Sequence, residues 1–205
     1  ERRNNQGLDK YQWGFIDTSD KWVFQPAFEE VDNFTEGYAR VRNDGKWGFI
    51  DTRGKYLVMP TFDEVLNFTS GVARYKQNGK WGLLDKKGKL FLKPTYDEIG
   101  PFSEGFAWIK EGKKEILVKN YFGFVDGAGK VLVPPTYEEV GNFSEGVARI
   151  KQNGKWGFLG ANGQPAIPLQ FDAAFDFSGG FARVKSKGKF GFVTIPKAPP
   201  VPAPQ

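Results

Sequence analysis

An aromatic–glycine pair returns along this chain at Trp13-Gly14, Trp47-Gly48, Trp81-Gly82, Phe122-Gly123, Trp156-Gly157 and Phe190-Gly191, at steps of 34, 34, 41, 34 and 34 residues. Two further markers keep the same register. F-x-x-G falls at Phe34, Phe68, Phe102, Phe143 and Phe177, and an aromatic–acid pair at Phe28-Glu29, Phe62-Asp63, Tyr96-Asp97, Tyr137-Glu138 and Phe171-Asp172. Three markers at one spacing define a tandem repeat, in which each unit hides its apolar surface against its neighbours. The single long step holds seven extra residues near 111–119, EGKKEILVK.

Within one unit, 71–104, the pattern is that of a β-meander. Val72 to Gln77 and Lys80 to Asp85 flank Asn78-Gly79, a dipeptide suited to a two-residue hairpin because both turn residues need positive φ. Asp44-Gly45 and Asn153-Gly154 repeat it. A second turn, with Gly54, Gly88, Gly129 or Gly163 (Asp20 in the first copy), leads to a third strand. Pro26, Pro60, Pro94 and Pro135 are expected to end that strand. A stretch such as Tyr96-Asp97-Glu98-Ile99 supplies a fourth, minor strand. No helical periodicity is sustained.

Pairing the first hairpin across its turn sets Ala73, Tyr75, Gly82 and Leu84 on one face and Val72, Arg74, Trp81 and Leu83 on the other. Both faces are largely apolar, whereas a meander with one wet face alternates cleanly. The expected fold is therefore all-β: 34-residue antiparallel meanders stacked face to face as an open β-solenoid or superhelix. The alternative is a five- or six-bladed propeller with one blade completed from both termini. The repeat domain spans 11–194, between a flexible segment at 1–10 and a Pro-rich linker or tail at 195–205. Arg40, Arg74, Arg149 and Arg183 share the Trp-bearing face, placed to lay a guanidinium over an indole.

The pattern V-A-R-x-K-Q-N-G-K-W-G-F resembles the WG-containing repeat, also called the KWG repeat. Lys46-Trp47-Gly48, Lys80-Trp81-Gly82 and Lys155-Trp156-Gly157 carry its name motif; Gln12 replaces Lys before Trp13, and Phe122 and Phe190 replace Trp. The resemblance covers 11–193 and implies a bacterial repeat found alone or attached to other modules, with no shared catalytic set.

The chain has no Cys and no His. That excludes Cys/His zinc sites, disulfides and nucleophile–His triads. The acid pairs Glu29-Glu30, Asp63-Glu64, Asp97-Glu98 and Glu138-Glu139 recur with the repeat, and adjacent strand residues point to opposite faces, so a scaffold role is expected for them. Asp17-Thr18-Ser19-Asp20 lacks the Gly and closing Glu of a calcium loop and reads as a turn. The sequons at Asn33, Asn67 and Asn142 share one turn slot. No catalytic, metal or cofactor-binding residue is expected. Lys46, Lys80, Lys155 and Lys189 form a periodic ladder, but 24 acids stand among 29 basic residues, which weighs against nucleic acid. No stretch is long enough for a transmembrane helix.

The departures from the repeat are the candidate partner-binding residues. Trp108 stands where the other copies carry Arg, just before the insertion with Lys113, Lys114, Ile116 and Leu117. The expected function is a protein-interaction or scaffold module, with a glycan or cell-wall polymer as the alternative ligand. An envelope or secreted location is favoured over the cytoplasm. The bland reading of the insertion is a longer hairpin with Trp108 packed beside it.

Overall fold

A computed structural model describes residues 12–114 and 118–195. The end segment expected at 1–10, the tail expected at 195–205 apart from Ile195, and Ile116 and Leu117 of the insertion lie outside the described residues. The described chain is all β. The first sheet has two strands, β1 (Trp13–Ile16) and β2 (Trp22–Phe28). The second comprises β3 (Glu30–Val31), β4 (Tyr38–Asn43), β5 (Lys46–Asp51) and β6 (Tyr56–Phe62). The third comprises β7 (Glu64–Val65), β8 (Val72–Gln77), β9 (Lys80–Asp85) and β10 (Leu90–Tyr96).

The fourth is built from β11 (Glu98–Ile99), β12 (Phe106–Lys114), β13 (Val118–Asp126) and β14 (Val131–Tyr137). The fifth takes β15 (Glu139–Val140), β16 (Val147–Gln152), β17 (Lys155–Gly160) and β18 (Pro165–Phe171). The last takes β19 (Ala173–Ala174), β20 (Ala182–Ser186) and β21 (Lys189–Val193). The chain divides after Asp97 into two compact units, β1–β10 and β11–β21. Among the described residues every sheet draws its strands from one continuous stretch, in tandem order, and no blade is completed from both termini.

The hairpin register is the one the turns dictate. Tyr75 faces Gly82, Lys76 faces Trp81, and Asn78 and Gly79 take φ of 53° and 77°. Cores lie between successive sheets within each unit. Ala39, Val41 and Ile50 close on Phe28 of the first sheet, while Phe49 on the opposite face packs with Val65, Phe68 and Tyr75 of the third. Phe158 does the same with Phe177 and Val184 in the second unit. Both faces of a meander are therefore apolar because each meets a different neighbour.

Two expectations change. The prolines lie inside the third strand, not at its end: Pro60 sits between Val58, which pairs with Phe49, and Phe62, which pairs with Trp47. Four residues of β6 span two of β5, so the strand bulges there and the missing N–H costs no ladder bond. The bulge also explains the glycine. A Cβ on Gly48 would stand 2.5 Å from the Val58 carbonyl oxygen, so the third strand's backbone occupies the space, rather than a cross-strand side chain alone. At Gly82 both crowd in, the Leu92 carbonyl and the Tyr75 ring. The minor strand, secondly, opens the following sheet: β7 pairs with β8, so the chain crosses between sheets at Asp63. A Phe-Asp-Glu run reads the same on either side of that step, and only long-range pairing decides its sheet.

Candidate functional site

The acids after each third strand work as fasteners at the step between sheets. Asp63 accepts 2.5 Å from Lys46 Nζ, behind it in the second sheet, and 2.8 Å from the Asn78 amide in the hairpin turn ahead. Lys80 reaches Asp97 at 2.6 Å and Lys155 reaches Asp172 at 2.7 Å by the same geometry. Chiefly the hydrogen bond from its lysine holds the carboxyl of Asp63, and likewise of Asp172, below the usual carboxylate range. The second acid of each pair bonds across its own sheet instead, Glu64 to Lys76 at 2.6 Å and Glu98 to Lys110 at 2.9 Å. Three of the four ladder lysines are thus paired with carboxylates of the repeat.

A longer reach joins F-x-x-G turns that carry Glu to the turn that follows. Glu36, itself at φ 53°, accepts from the Ser70 and Gly71 amides at 2.7 and 3.0 Å and from Lys86 Nζ at 2.9 Å. The Lys86 hydrogen bond above all keeps its carboxyl below the ordinary range. Glu104 likewise accepts from the Glu145 and Gly146 amides at 2.8 and 2.9 Å, and Glu145 from Gly180 at 2.9 Å. Ser103 and Ser144 donate to the Phe143 and Phe177 carbonyls at 2.7 and 2.9 Å. Sequence reading missed these links, although a Lys–acid spacing of 17 and a turn–turn spacing of 34 or 41 carried the signal.

On the Trp-bearing face, Arg40 holds its guanidinium 5.4 Å from the Trp47 ring centroid, bonds to Asp32 and donates 2.8 Å to the Val65 carbonyl of the next sheet. Arg149 covers Trp156 at 5.3 Å and donates to Ala174 at 3.2 Å. The sequon residue Asn67 donates to Asp32 at 3.2 Å, a structural use. Asp17, Asp51, Asp85 and Asp126 each accept from the amides two and four residues on, so Asp17 to Asp20 is a turn.

The anchor positions are not equally covered. Trp156 is 8% exposed, Trp47 and Trp81 are half-buried, and Trp13 in the two-stranded first sheet is 56% exposed. Of the candidate partner residues, Trp108 is half-buried, edge-on to Phe122 at 5.7 Å, in space that Gly100 leaves open. Lys113 and Lys114 lie near the end of a hairpin whose nine-residue strands pair from Phe106↔Asp126 to Lys114↔Val118. The inserted residues thus lengthen the hairpin, and Trp108 packs on Phe122 within the sheet. Among the described residues, no three acid, His or Cys side chains converge to hold a metal ion, and no helix is long and apolar enough to cross a membrane.

Among solved structures, the chain resembles the Neurospora crassa Pan2 WD40 domain at 13% identity and a TM-score of 0.38, over 93% of this chain and 72% of that one. It also resembles a structure described as YCF48 bound to D1 peptide, at 14% identity and a TM-score of 0.34, over 88% and 71% of the two chains. Scores this low do not establish a shared fold. No curated protein matches the chain. The model of the WG containing repeat matches five tandem stretches, 13–47, 47–81, 81–114, 122–156 and 156–190, and the chain belongs to that family of non-catalytic repeat modules.

Proposed function

We propose that this chain is a platform that holds a protein partner. The supporting observation is where the repeat's ionisable side chains go: Asp63, Asp172, Glu36, Lys46 and Lys155 are taken up in joints between sheets. Groups fixed in that way hold a rigid surface and have no freedom left for acid–base chemistry. The family's association with protein interaction and scaffolding agrees. The proposed contact element is the β12–β13 hairpin, longer than the other described hairpins and bearing Trp108 at its base. Deleting 112–118 should leave the thermal midpoint within a few degrees while abolishing cross-linking to the partner. A deletion variant that folds and still cross-links refutes that assignment.

A glycan is the second reading, favoured by two exposed indoles in the first sheet, Trp13 at 56% and Trp22 at 50%. It would place the protein at the envelope or outside the cell. Titration with cell-wall oligosaccharides should then shift tryptophan emission, and Trp13→Ala should reduce the shift; an unchanged spectrum removes this reading.

A further inference from the structure

In the first compact unit, an open cleft of about 310 Å³ is lined by Tyr38, Asp51, Arg53, Lys55, Tyr56 and Lys87, with Leu57 also in its wall. Its two tyrosines are held in place. The Tyr38 hydroxyl donates 2.9 Å to the Lys86 carbonyl, and the Tyr56 ring stands edge-on to Phe24 and Phe28 at 5.9 and 6.3 Å. Charge is unbalanced there, three cations against the single carboxylate of Asp51. That carboxylate is already engaged, accepting from the Arg53 and Lys55 amides at 2.9 Å each and from the Arg53 guanidinium at 3.3 Å. The Arg53 side chain is 84% exposed, so most of its donors face solvent.

These residues are not what the repeat requires. The Tyr38 slot holds Val72, Phe106, Val147 and Phe181 in the other copies, and the Tyr56 slot holds Trp22, Leu90, Val131 and Pro165. Ser19, Lys87, Ala128 and Asn162 fill the slot of Arg53. The same backbone therefore forms without two phenols and a guanidinium at this place.

We propose that the cleft binds an acidic peptide segment, with a carboxylate held among Arg53, Lys55 and Lys87 and its apolar neighbour laid against Tyr38 and Tyr56. Arginine offers a planar fork to a carboxylate, and tyrosine offers a large contact surface at low entropic cost. The cleft lies at the Tyr38–Asp51 end of the β4–β5 hairpin, whereas Lys46 at its other end pairs with Asp63 and Lys80 pairs with Asp97, which favours a short acidic segment over a continuous polyanion. This inference rests on the protein-platform reading and names the chemistry of its partner.

The test is fluorescence anisotropy of the full chain with a short fluorescein-labelled peptide of alternating Glu and Leu. Arg53→Glu with Lys87→Glu should weaken binding about tenfold or more, ~1.4 kcal/mol per factor of ten. Lys130→Glu with Lys189→Glu makes the same change in net charge and should stay within about twofold. Tyr38→Val with Tyr56→Leu, residues the other copies already use, should also weaken binding. Equal loss in both charge-reversed variants overturns the proposal, as does a wild-type chain that does not bind the peptide. Displacement of the peptide by oligouridylate or a heparin fragment at lower concentration than by unlabelled peptide overturns it too. If the Arg53→Glu/Lys87→Glu chain cross-links to a protein partner as well as the wild type does, the cleft is refuted and the platform reading stands; absence of any cross-linked protein with the wild type refutes that reading.

Discussion

The second and fourth sheets fill one joint with different chemistry. In the second, Arg40 lies over Trp47 and ties to Asp32 and to the Val65 carbonyl. In the fourth, Trp108 occupies the arginine slot and Phe122 the tryptophan slot, the rings meeting edge to face at 5.7 Å, with Gly100 in place of Asp32. The aromatic bulk has moved one strand across, and the glycine clears the room it needs. What the repeat preserves is a filled volume beside a bulged third strand; the ionic tie is one way among others of finishing it.

The largest effects should come from what both sheets share. Gly48→Ala and Gly123→Ala each drive a methyl into third-strand backbone and should cost about 3 kcal/mol in urea unfolding. A loss under about 1 kcal/mol in either would break the claim of a common design. Next comes the exchange itself. Gly100→Ala should be costly in the wild type and nearly silent once Trp108 is Ala, a coupling of about 1–3 kcal/mol in a double-mutant cycle. Additive losses would mean that the indole does not depend on that glycine.

Arg40→Ala should cost less, about 1–2 kcal/mol, since its carboxylate partner is partly solvated. Acid should sharpen the contrast further. Chiefly the Arg40 hydrogen bond holds the Asp32 carboxyl below its ordinary value, so the folded chain binds fewer protons than the unfolded one as that group titrates. Its stabilisation is complete above the unfolded value of about 3.9 and drains away as pH falls through the lowered folded value. Asp32→Asn should therefore reduce the difference in urea midpoint between pH 5 and pH 3, whereas Gly100, which replaces that acid, gives the fourth sheet no such term. A variant with an undiminished difference would locate the acid sensitivity elsewhere. Smallest of all, Lys46→Ala should cost about 0.5 kcal/mol, and less at high salt.

Local chemistry made much of the fold legible. Asn78-Gly79 permits one turn geometry, that turn sets Tyr75 opposite Gly82, and period two then assigns both faces. Pro60 misled because proline at a strand end and proline within a bulge look alike in sequence. The sheet to which Glu64-Val65 belongs is settled by pairing with Tyr75 and Lys76, which no local pattern encodes. Of the candidate site, Trp108 stood out as a departure from the repeat, but its dependence on Gly100 needed coordinates. The cleft was hidden for another reason: Tyr38, Arg53 and Lys87 lie far apart in the chain, and each alone is an ordinary surface residue.

The carboxylate that leans from one F-x-E-G turn onto the amides of the next has an evolutionary corollary. Units with Glu in that turn (Glu36, Glu104, Glu145) supply a plug for the amides of the next turn, while Ser70 and Gly179 fill the slot in the other two, so a whole module can carry the link or lack it. Growth or shrinkage by complete modules then requires no new core, and a gene for such a chain can change length by unequal crossover while its product still folds.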